Sequence, residues 1–185
     1  MTSPEELLAS WLPANDDPVR PLMTLSTISS SGYPDARTVL LSEFDAEGLY
    51  FHTDSRSRKV ADLTGEPRVA LTLVWPGRQL TVQGDAGRAS SEERGWAYEH
   101  RSRYLQLLAW LNTPEFAALP LEERLSRWAA FDVAHPSPTP PDTWDGFVVR
   151  PRRLTFWEGR PDTASRRTEF TRTATGAWTE TLLPG

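Results

Sequence analysis

Residues 36–53 read Ala36-Arg37-Thr38-Val39-Leu40-Leu41-Ser42-Glu43-Phe44-Asp45-Ala46-Glu47-Gly48-Leu49-Tyr50-Phe51-His52-Thr53. Two β-rich runs, Ala36–Phe44 and Leu49–Thr53, lie on either side of a turn at Asp45–Gly48. Arg37 heads the run Thr-Val-Leu-Leu, which is too apolar for an edge facing water. An arginine in that position either snorkels out to solvent or holds an anion.

The same texture of short strands and turn residues extends outward from this stretch. Met23–Ser29 precedes it and is followed by a turn over 30–34; Val69–Trp75 and Gln79–Ala89 come after it, joined through Pro76-Gly77. Phe147–Trp157 and Glu169–Leu182 complete the set, the last bending at Thr175-Gly176. Short strands at this spacing point to an antiparallel barrel or sandwich. Helical patterns interrupt it. Residues 3–12 carry Ser3 as N-cap, Pro4 at the first helical position and Glu6 completing a capping box, and the Pro/Asp-rich stretch 13–21 reads as a linker. Ser57–Leu63 is a short helix stopped by Gly65 and Pro67. Ser90–Trp110 opens on a capping box from Ser90 to Glu93 and places Ala97, Tyr104, Leu105 and Leu108 on one face, while Leu121–Phe131 does the same with Leu121, Leu125, Trp128 and Ala129. Residues 135–143 hold four prolines and must be an extended loop. The fold class is α+β, a barrel with peripheral helices, divided into an N-terminal helix and linker (1–22) and a barrel domain (23–185).

Composition narrows the chemistry. A chain of 185 residues suits one domain with a core that needs no staple. It has no cysteine, which excludes thiolate zinc sites, thiol catalysis and disulfides. Twenty Lys+Arg against 25 Asp+Glu give a net charge of -5, unlike the basic footprint of a nucleic-acid binder. No apolar run reaches the ~20 residues of a membrane span, and the first residues lack the pattern of a signal peptide. The expectation is a soluble cytoplasmic protein.

Candidate chemistry starts with cations. Arg58 and Lys59 follow the polar run Asp54-Ser55-Arg56-Ser57 where a helix begins, and helix N-terminal amides attract anions. With Arg37 they form a potential phosphate socket; the plainer alternative is a salt bridge for Arg37 and solvation for the other two. Neither G-x-G-x-x-G nor G-x-x-x-x-G-K-[ST] occurs, which disfavours a dinucleotide or nucleoside triphosphate. Eight tryptophans are present; Trp144 and Trp157 bracket a strand, and either packs in the core or walls a pocket for a planar ring. The three histidines, His52, His100 and His135, lack metal-site spacing. The carboxylates are dispersed with no acid/base pair, so any redox chemistry falls to a cofactor.

Several segments in one order, Arg37-Thr-Val-Leu-Leu, Phe51-His-Thr53, Ser57-Arg58-Lys59, Arg78-Gln79-Leu-Thr-Val-Gln-Gly84, Trp144-Asp-Gly-Phe147 and Phe156-Trp157-Glu-Gly159, resemble the pyridoxine/pyridoxamine 5′-phosphate oxidases. The resemblance implies an FMN-binding split β-barrel, a homodimer with FMN at the subunit interface, and a small-molecule substrate. It implies that Arg37, Arg58 and Lys59 hold the FMN phosphate, that Thr38 and the backbone of Val39, Leu40 and Leu41 line the ring, and that His52, Thr53, Gln79, Trp157 and Arg167 supply further cofactor contacts. His52 stands where the family commonly has tyrosine.

The substrate positions depart from the pattern. Ser42 replaces a lysine that contacts the substrate phosphate; Thr163 and Ser165 stand for an arginine and a histidine, with Arg160 or Arg166 as substitutes. Tyr98 matches a substrate-contacting tyrosine, and Arg101 matches an arginine with one residue deleted. The family serine that follows aligns with Leu105, and its Gln-Ser cofactor contact with Leu111-Asn112-Thr113. The resemblance thus implies an FMN-dependent two-electron oxidation at flavin N5, reoxidised by O₂, on a substrate diverged from pyridoxine phosphate. The rivals are a genuine pyridoxamine-phosphate oxidase and a non-catalytic flavin-binding protein.

Overall fold

The computed structural model describes residues 3–185. In chain order the elements are α1 (Pro4–Trp11), β1 (Leu22–Ile28), β2 (Pro34–Leu40), β3 (Leu49–Asp54), α2 (Arg58–Gly65), β4 (Arg68–Trp75), β5 (Arg78–Arg88), α3 (Ser91–Glu99), α4 (Arg103–Leu111), α5 (Pro114–Ala117), α6 (Leu121–Ala134), β6 (Trp144–Glu158), β7 (Arg166–Arg172) and β8 (Trp178–Pro184). The strands form one antiparallel sheet in the order β2-β1-β4-β5-β6-β7-β8, with β3 paired to β6. The α+β expectation holds.

Period-two alternation builds the barrel interior. Met23 and Leu25 of β1, Val69, Leu71 and Leu73 of β4, and Leu80 and Val82 of β5 point inward and are buried. Each fully buried side chain of this size contributes about 1.5–3 kcal/mol. Leu8 and Leu12 join the same core, and the Trp11 ring meets Trp75 and Phe156 edge-on at 6.1 and 5.1 Å. The capping box at Ser3 and Glu6 is formed as the sequence expects. The 15-residue β6 bends across the barrel, pairing β3 through its first half and β7 through its second. A register shift at Gln83/Gly84 accommodates the bend; a Cβ on Gly84 would lie 2.2 Å from the Arg150 carbonyl oxygen, so only glycine fits.

Three elements differ from the sequence expectations, and two of these differences shape the site. The run 36–44 is not one continuous strand. Residues 34–40 pair with β1, but Leu41 N–H donates to Pro21, and Ser42 and Glu43 exchange backbone hydrogen bonds with Tyr50. The chain thereby leaves one neighbour and joins another, and the barrel splits at that point.

The expected helix 90–110 is two. His100 leaves helical geometry at φ -90, ψ 0, and Ser102 caps a second helix by accepting from Leu105 N–H. This break sets Arg101 at the α3–α4 junction. Ala97 is buried as expected, but Tyr104 is exposed and Leu107 takes the buried place. The third difference is at the C-terminus, where residues 169–182 form a β7–β8 hairpin turning at 173–177 rather than one bent strand.

α6 also departs in its burial. Leu121 and Leu125, expected to face inward, are exposed, because α6 meets α4 through Arg103–Asp132 and the Tyr104–Trp128 and Trp110–Phe131 rings instead. Among the described residues no helix is long and apolar enough to cross a membrane.

Candidate active site

At the split lies a cavity of about 600 Å³. One wall is the edge strand β2, through Thr38, Val39 and Leu40. β3 contributes His52, Thr53 and Asp54; the start of α2 contributes Arg56, Ser57 and Lys59; the α3–α4 region contributes Arg101, Leu105, Leu108, Ala109 and Asn112; α5 and the head of β6 close it with Pro114, Glu115, Thr143 and Trp144. As a sheet edge, β2 presents amides and carbonyls without a strand partner on this side.

Lys59, the only lysine of the chain, is half-buried at one end. Its Nζ donates to Thr53 Oγ1 at 3.0 Å, and among the described residues no carboxylate lies within ion-pair distance. Burial lowers its pKa, and the nearby Arg37 charge lowers it further against the opposing pull of Asp54. Ser57 occupies the N-cap of α2, but its hydroxyl makes no cap bond; it sits 3.3 Å from Thr53 Oγ1. A half-buried cation, two hydroxyls and an uncapped helix N-terminus converge here, which is the donor set an anion requires.

The other two expected phosphate cations are placed differently. Arg37 donates to Thr27 Oγ1 at 2.6 Å, to Asp35 at 2.9 Å and to Asp62 at 3.1 Å, and does not line the cavity. Asp62 and Thr27 are both buried, so this arginine holds a protein carboxylate. Arg58 is exposed and pairs with Asp35 at 2.7 Å.

The other end is a partly buried polar cluster around the buried His52. Arg101 Nη2 donates to Ser42 Oγ at 3.0 Å; Ser42 Oγ lies 2.8 Å from His52 Nδ1; His52 Nε2 lies 3.2 Å from Glu93 Oε2. Trp144 organises the group. Its ring is parallel to His52 at 5.0 Å, lies 4.5 Å from the Arg101 guanidinium carbon, and meets the buried Tyr98 edge-on at 5.4 Å. Burial drives the His52 pKa down, outweighing the Glu93 hydrogen bond, so a neutral imidazole faces the Glu93 carboxylate and the contact is a hydrogen bond rather than an ion pair.

Burial and the adjacent Glu93 push the Glu43 pKa up to about 9. Burial also acts to raise Glu93, but hydrogen bonds from His52 and Glu43 prevail and hold it low. The pair therefore keeps one proton at neutral pH, on the Glu43 side. Burial lowers the Arg101 pKa to about 10, still a cation.

Sequence reasoning found no carboxylate pair; the structure makes one from Glu43 and Glu93, fifty residues apart. Of the other expected positions, Leu41 is fully buried beside β2, and Tyr98 gives its hydroxyl to the Gln106 carbonyl outside the cavity. Gln79, Trp157 and Arg167 occupy one register row across β5, β6 and β7 and do not line the cavity of their own chain. Thr163 and Ser165 lie in the β6–β7 loop, also away from it; Arg160 pairs with Asp162 there, and Arg166 is exposed.

Residues 18–158 match the family described as pyridoxamine 5′-phosphate oxidase, and residues 144–184 match the pyridoxine 5′-phosphate oxidase C-terminal dimerisation region. The chain belongs to the pyridoxamine 5′-phosphate oxidase family. A pyridoxine/pyridoxamine 5′-phosphate oxidase of Rubrobacter xylanophilus is 39% identical over 159 residues, covering 83% of this chain and 73% of the relative. One from Rhodopseudomonas palustris is 34% identical over 190 residues, covering 98% and 89%. Among solved structures, PhzG from Burkholderia lata 383, in complex with tetrahydrophenazine-1-carboxylic acid, superimposes with a TM-score of 0.83 at 26% identity over 100% of this chain and 94% of that one. A pyridoxamine 5′-phosphate oxidase-related, FMN-binding protein of Nostoc punctiforme shares the fold, with a TM-score of 0.69 at 20% identity over 88% and 87%. The split-barrel expectation is thereby met.

Proposed function

We propose that this chain is an FMN-dependent oxidoreductase of the pyridoxamine 5′-phosphate oxidase type, acting on a small substrate diverged from pyridoxine phosphate. The observation that carries the reading is a cavity with a different cation at each end and, among the described residues, no carboxylate in ion-pair distance of either, with Glu43 and Glu93 acting on Arg101 from farther off. Lys59, Thr53, Ser57 and the start of α2 fit the FMN phosphate, and the unpaired edge of β2 at Thr38–Leu40 fits the polar rim of a flavin ring. Family membership and the FMN-binding relative of the same fold support the cofactor.

FMN, when bound, supplies a two-electron acceptor. The protein's own residues bind and orient. Lys59 and the α2 amides anchor the phosphate, Trp144 and the apolar Leu105, Leu108 and Ala109 exclude water from the opposite end, and Arg101 offers charge to a substrate. Gln79, Trp157 and Arg167 complete the cavity of a second copy in the homodimer, consistent with the dimerisation region that spans the last two.

Divergence of the substrate rests on Ser42, Thr163 and Ser165, which give up three charged or basic groups, and on the PhzG relative, which holds a carboxylated tricycle rather than a phosphorylated pyridine. A second reading, genuine pyridoxamine-phosphate oxidase, is favoured by the names of the relatives at 34–39% identity. Oxygen uptake by FMN-loaded protein separates the two. No turnover of pyridoxamine 5′-phosphate is expected; saturable turnover would establish the second reading. A protein that stays colourless after incubation with FMN would defeat both.

A further inference from the structure

The stretch before β1 reads in sequence as a linker, yet two of its side chains converge on one place. β1 and β2 stay in register as far as Leu22 and Leu40. One residue further on, Leu41 N–H donates to the Pro21 carbonyl at 3.0 Å, and there the ladder fails. Proline has no N–H to return, so the carbonyl of the fully buried Leu41 needs a donor from elsewhere. Arg20 Nε supplies it at 3.3 Å.

Asn15 does the same for Phe44. Its Nδ2 donates to the Phe44 carbonyl at 2.8 Å and its Oδ1 accepts from Phe44 N–H at 3.0 Å, so one side-chain amide stands in for a strand neighbour. Arg20 Nη1 donates to the Ala14 carbonyl, which ties the stretch carrying Asn15 to the stretch beside Leu41. Between these two clasp points the backbone bonds run to the other side. Ser42 N–H donates to the Tyr50 carbonyl and Tyr50 N–H to the Glu43 carbonyl, both at 2.9 Å. Residues 41–44 are thus held by the linker on one side and β3 on the other. The family match begins at residue 18, so Asn15 lies outside it.

We propose that Asn15 and Arg20 are positioning residues for the cavity, holding Leu41 and Phe44 so that the segment between them keeps its register. That segment continues directly from Thr38–Leu40, the cavity edge assigned to the flavin, and it carries Ser42 and Glu43 of the polar cluster. The physical reason is the change of partner at Leu41. A strand that leaves one neighbour for another has no continuous ladder to fix where the switch falls, and a slip of one residue would exchange the faces to which Ser42 and Glu43 point. Arg20 and Arg101 both act on the Glu43 charge, so the clasp also meets the cluster electrostatically. This inference rests on the FMN reading for the meaning of the Thr38–Leu40 edge.

The test sets FMN affinity, read by flavin fluorescence quenching, beside hydrogen exchange of residues 38–44 in the cofactor-free protein. Asn15→Ala should weaken FMN by roughly 3–10-fold, and Asn15→Ala combined with Arg20→Ala by at least about tenfold, with the visible band of the bound flavin moving toward that of free FMN. Both variants should exchange faster over residues 38–44. Glu5→Ala removes the Trp178–Glu5 hydrogen bond that ties α1 to β8; it is the control for general loosening of the N-terminus and should change neither readout. Affinities are compared where far-ultraviolet dichroism shows each protein folded, and Asn15→Ala alone carries the comparison if the double variant does not fold. Faster exchange with unchanged FMN affinity would reduce the clasp to a structural contact and overturn the positioning role, as would unchanged exchange. An equal loss in Glu5→Ala would overturn the assignment to these two residues. A wild type that takes up no FMN counts against the cofactor reading, and the clasp then stands or falls on the exchange of residues 38–44.

Discussion

The two ends of the cavity use cations in opposite ways. At the Lys59 end the charge is under-partnered: one hydroxyl contacts the ammonium, Arg37 repels it, and the capping serine leaves the helix start open. At the Arg101 end the guanidinium donates to Ser42 and a chain of contacts runs on through His52 to Glu93, while Arg101 Nε, Glu43 Oε1 and Glu93 Oε1 are buried without hydrogen-bond partners. Arg37, between the core and the first end, shows a third use, since its guanidinium satisfies the buried Asp62. An arginine and a lysine that both read as phosphate ligands in sequence are therefore placed differently, one hydrogen-bonded to a buried protein carboxylate and the other to a hydroxyl at the cavity.

The contrast can be broken by substitution. The largest expected effect is on stability. Arg37→Ala strands the Asp62 carboxylate in the core and should cost about 3–5 kcal/mol, measured by urea unfolding; Asp62→Asn in the same chain should recover part of it. Lys59→Ala should leave the urea midpoint nearly unchanged while weakening FMN by ~10–100-fold, the loss of one charge-assisted contact worth about 1.5–3 kcal/mol. If Arg37→Ala merely released FMN from a fully stable protein, the division between the two cations would fail.

The Arg101 end should show itself in pH. Glu43 keeps its proton up to about 9 in the folded protein, whereas in the unfolded chain it loses it in the ordinary carboxylate range. The folded state therefore binds the extra proton between those limits, and stability falls as pH rises through that window. Glu93, held low, acts on the acid side: its contribution is present above the ordinary carboxylate range and is lost as pH falls. The thermal midpoint of wild type should decline from pH 6 to 9, and Glu43→Gln should flatten the decline. The smallest effect is expected for Arg58→Ala. Its side chain is 79% exposed, so its pair with Asp35 contributes little, and FMN affinity should drop by less than about tenfold.

Much of this was legible in the sequence because it is local. Period-two burial, the Ser3 and Ser90 caps and the polar run before Arg58 each express a short-range rule, and Trp144 was open to reading as a pocket wall. The unread parts depend on long-range partners. Glu43 and Glu93 each look like a solvated acid until the split barrel and α3 bring them together. Asp62 lies on a short polar helix, and only the packing of α2 on β1 shows that it faces Arg37. The helix break at His100 had a local signal in Ser102, a second N-cap candidate, but the apolar residues on both sides of it suit one helix equally well. The partner change at Leu41 has no local signal; it follows from closing the barrel.

FMN titration of wild type and Lys59→Ala, followed by flavin fluorescence quenching with thermal midpoints recorded on the same samples, tests the cavity most directly. The expected result is stoichiometric binding to wild type, at least ~10-fold weaker binding to Lys59→Ala and coincident midpoints of the two cofactor-free proteins. Equal affinity in both proteins, or no quenching by wild type, would contradict the assignment of Lys59 and its surroundings as the phosphate site.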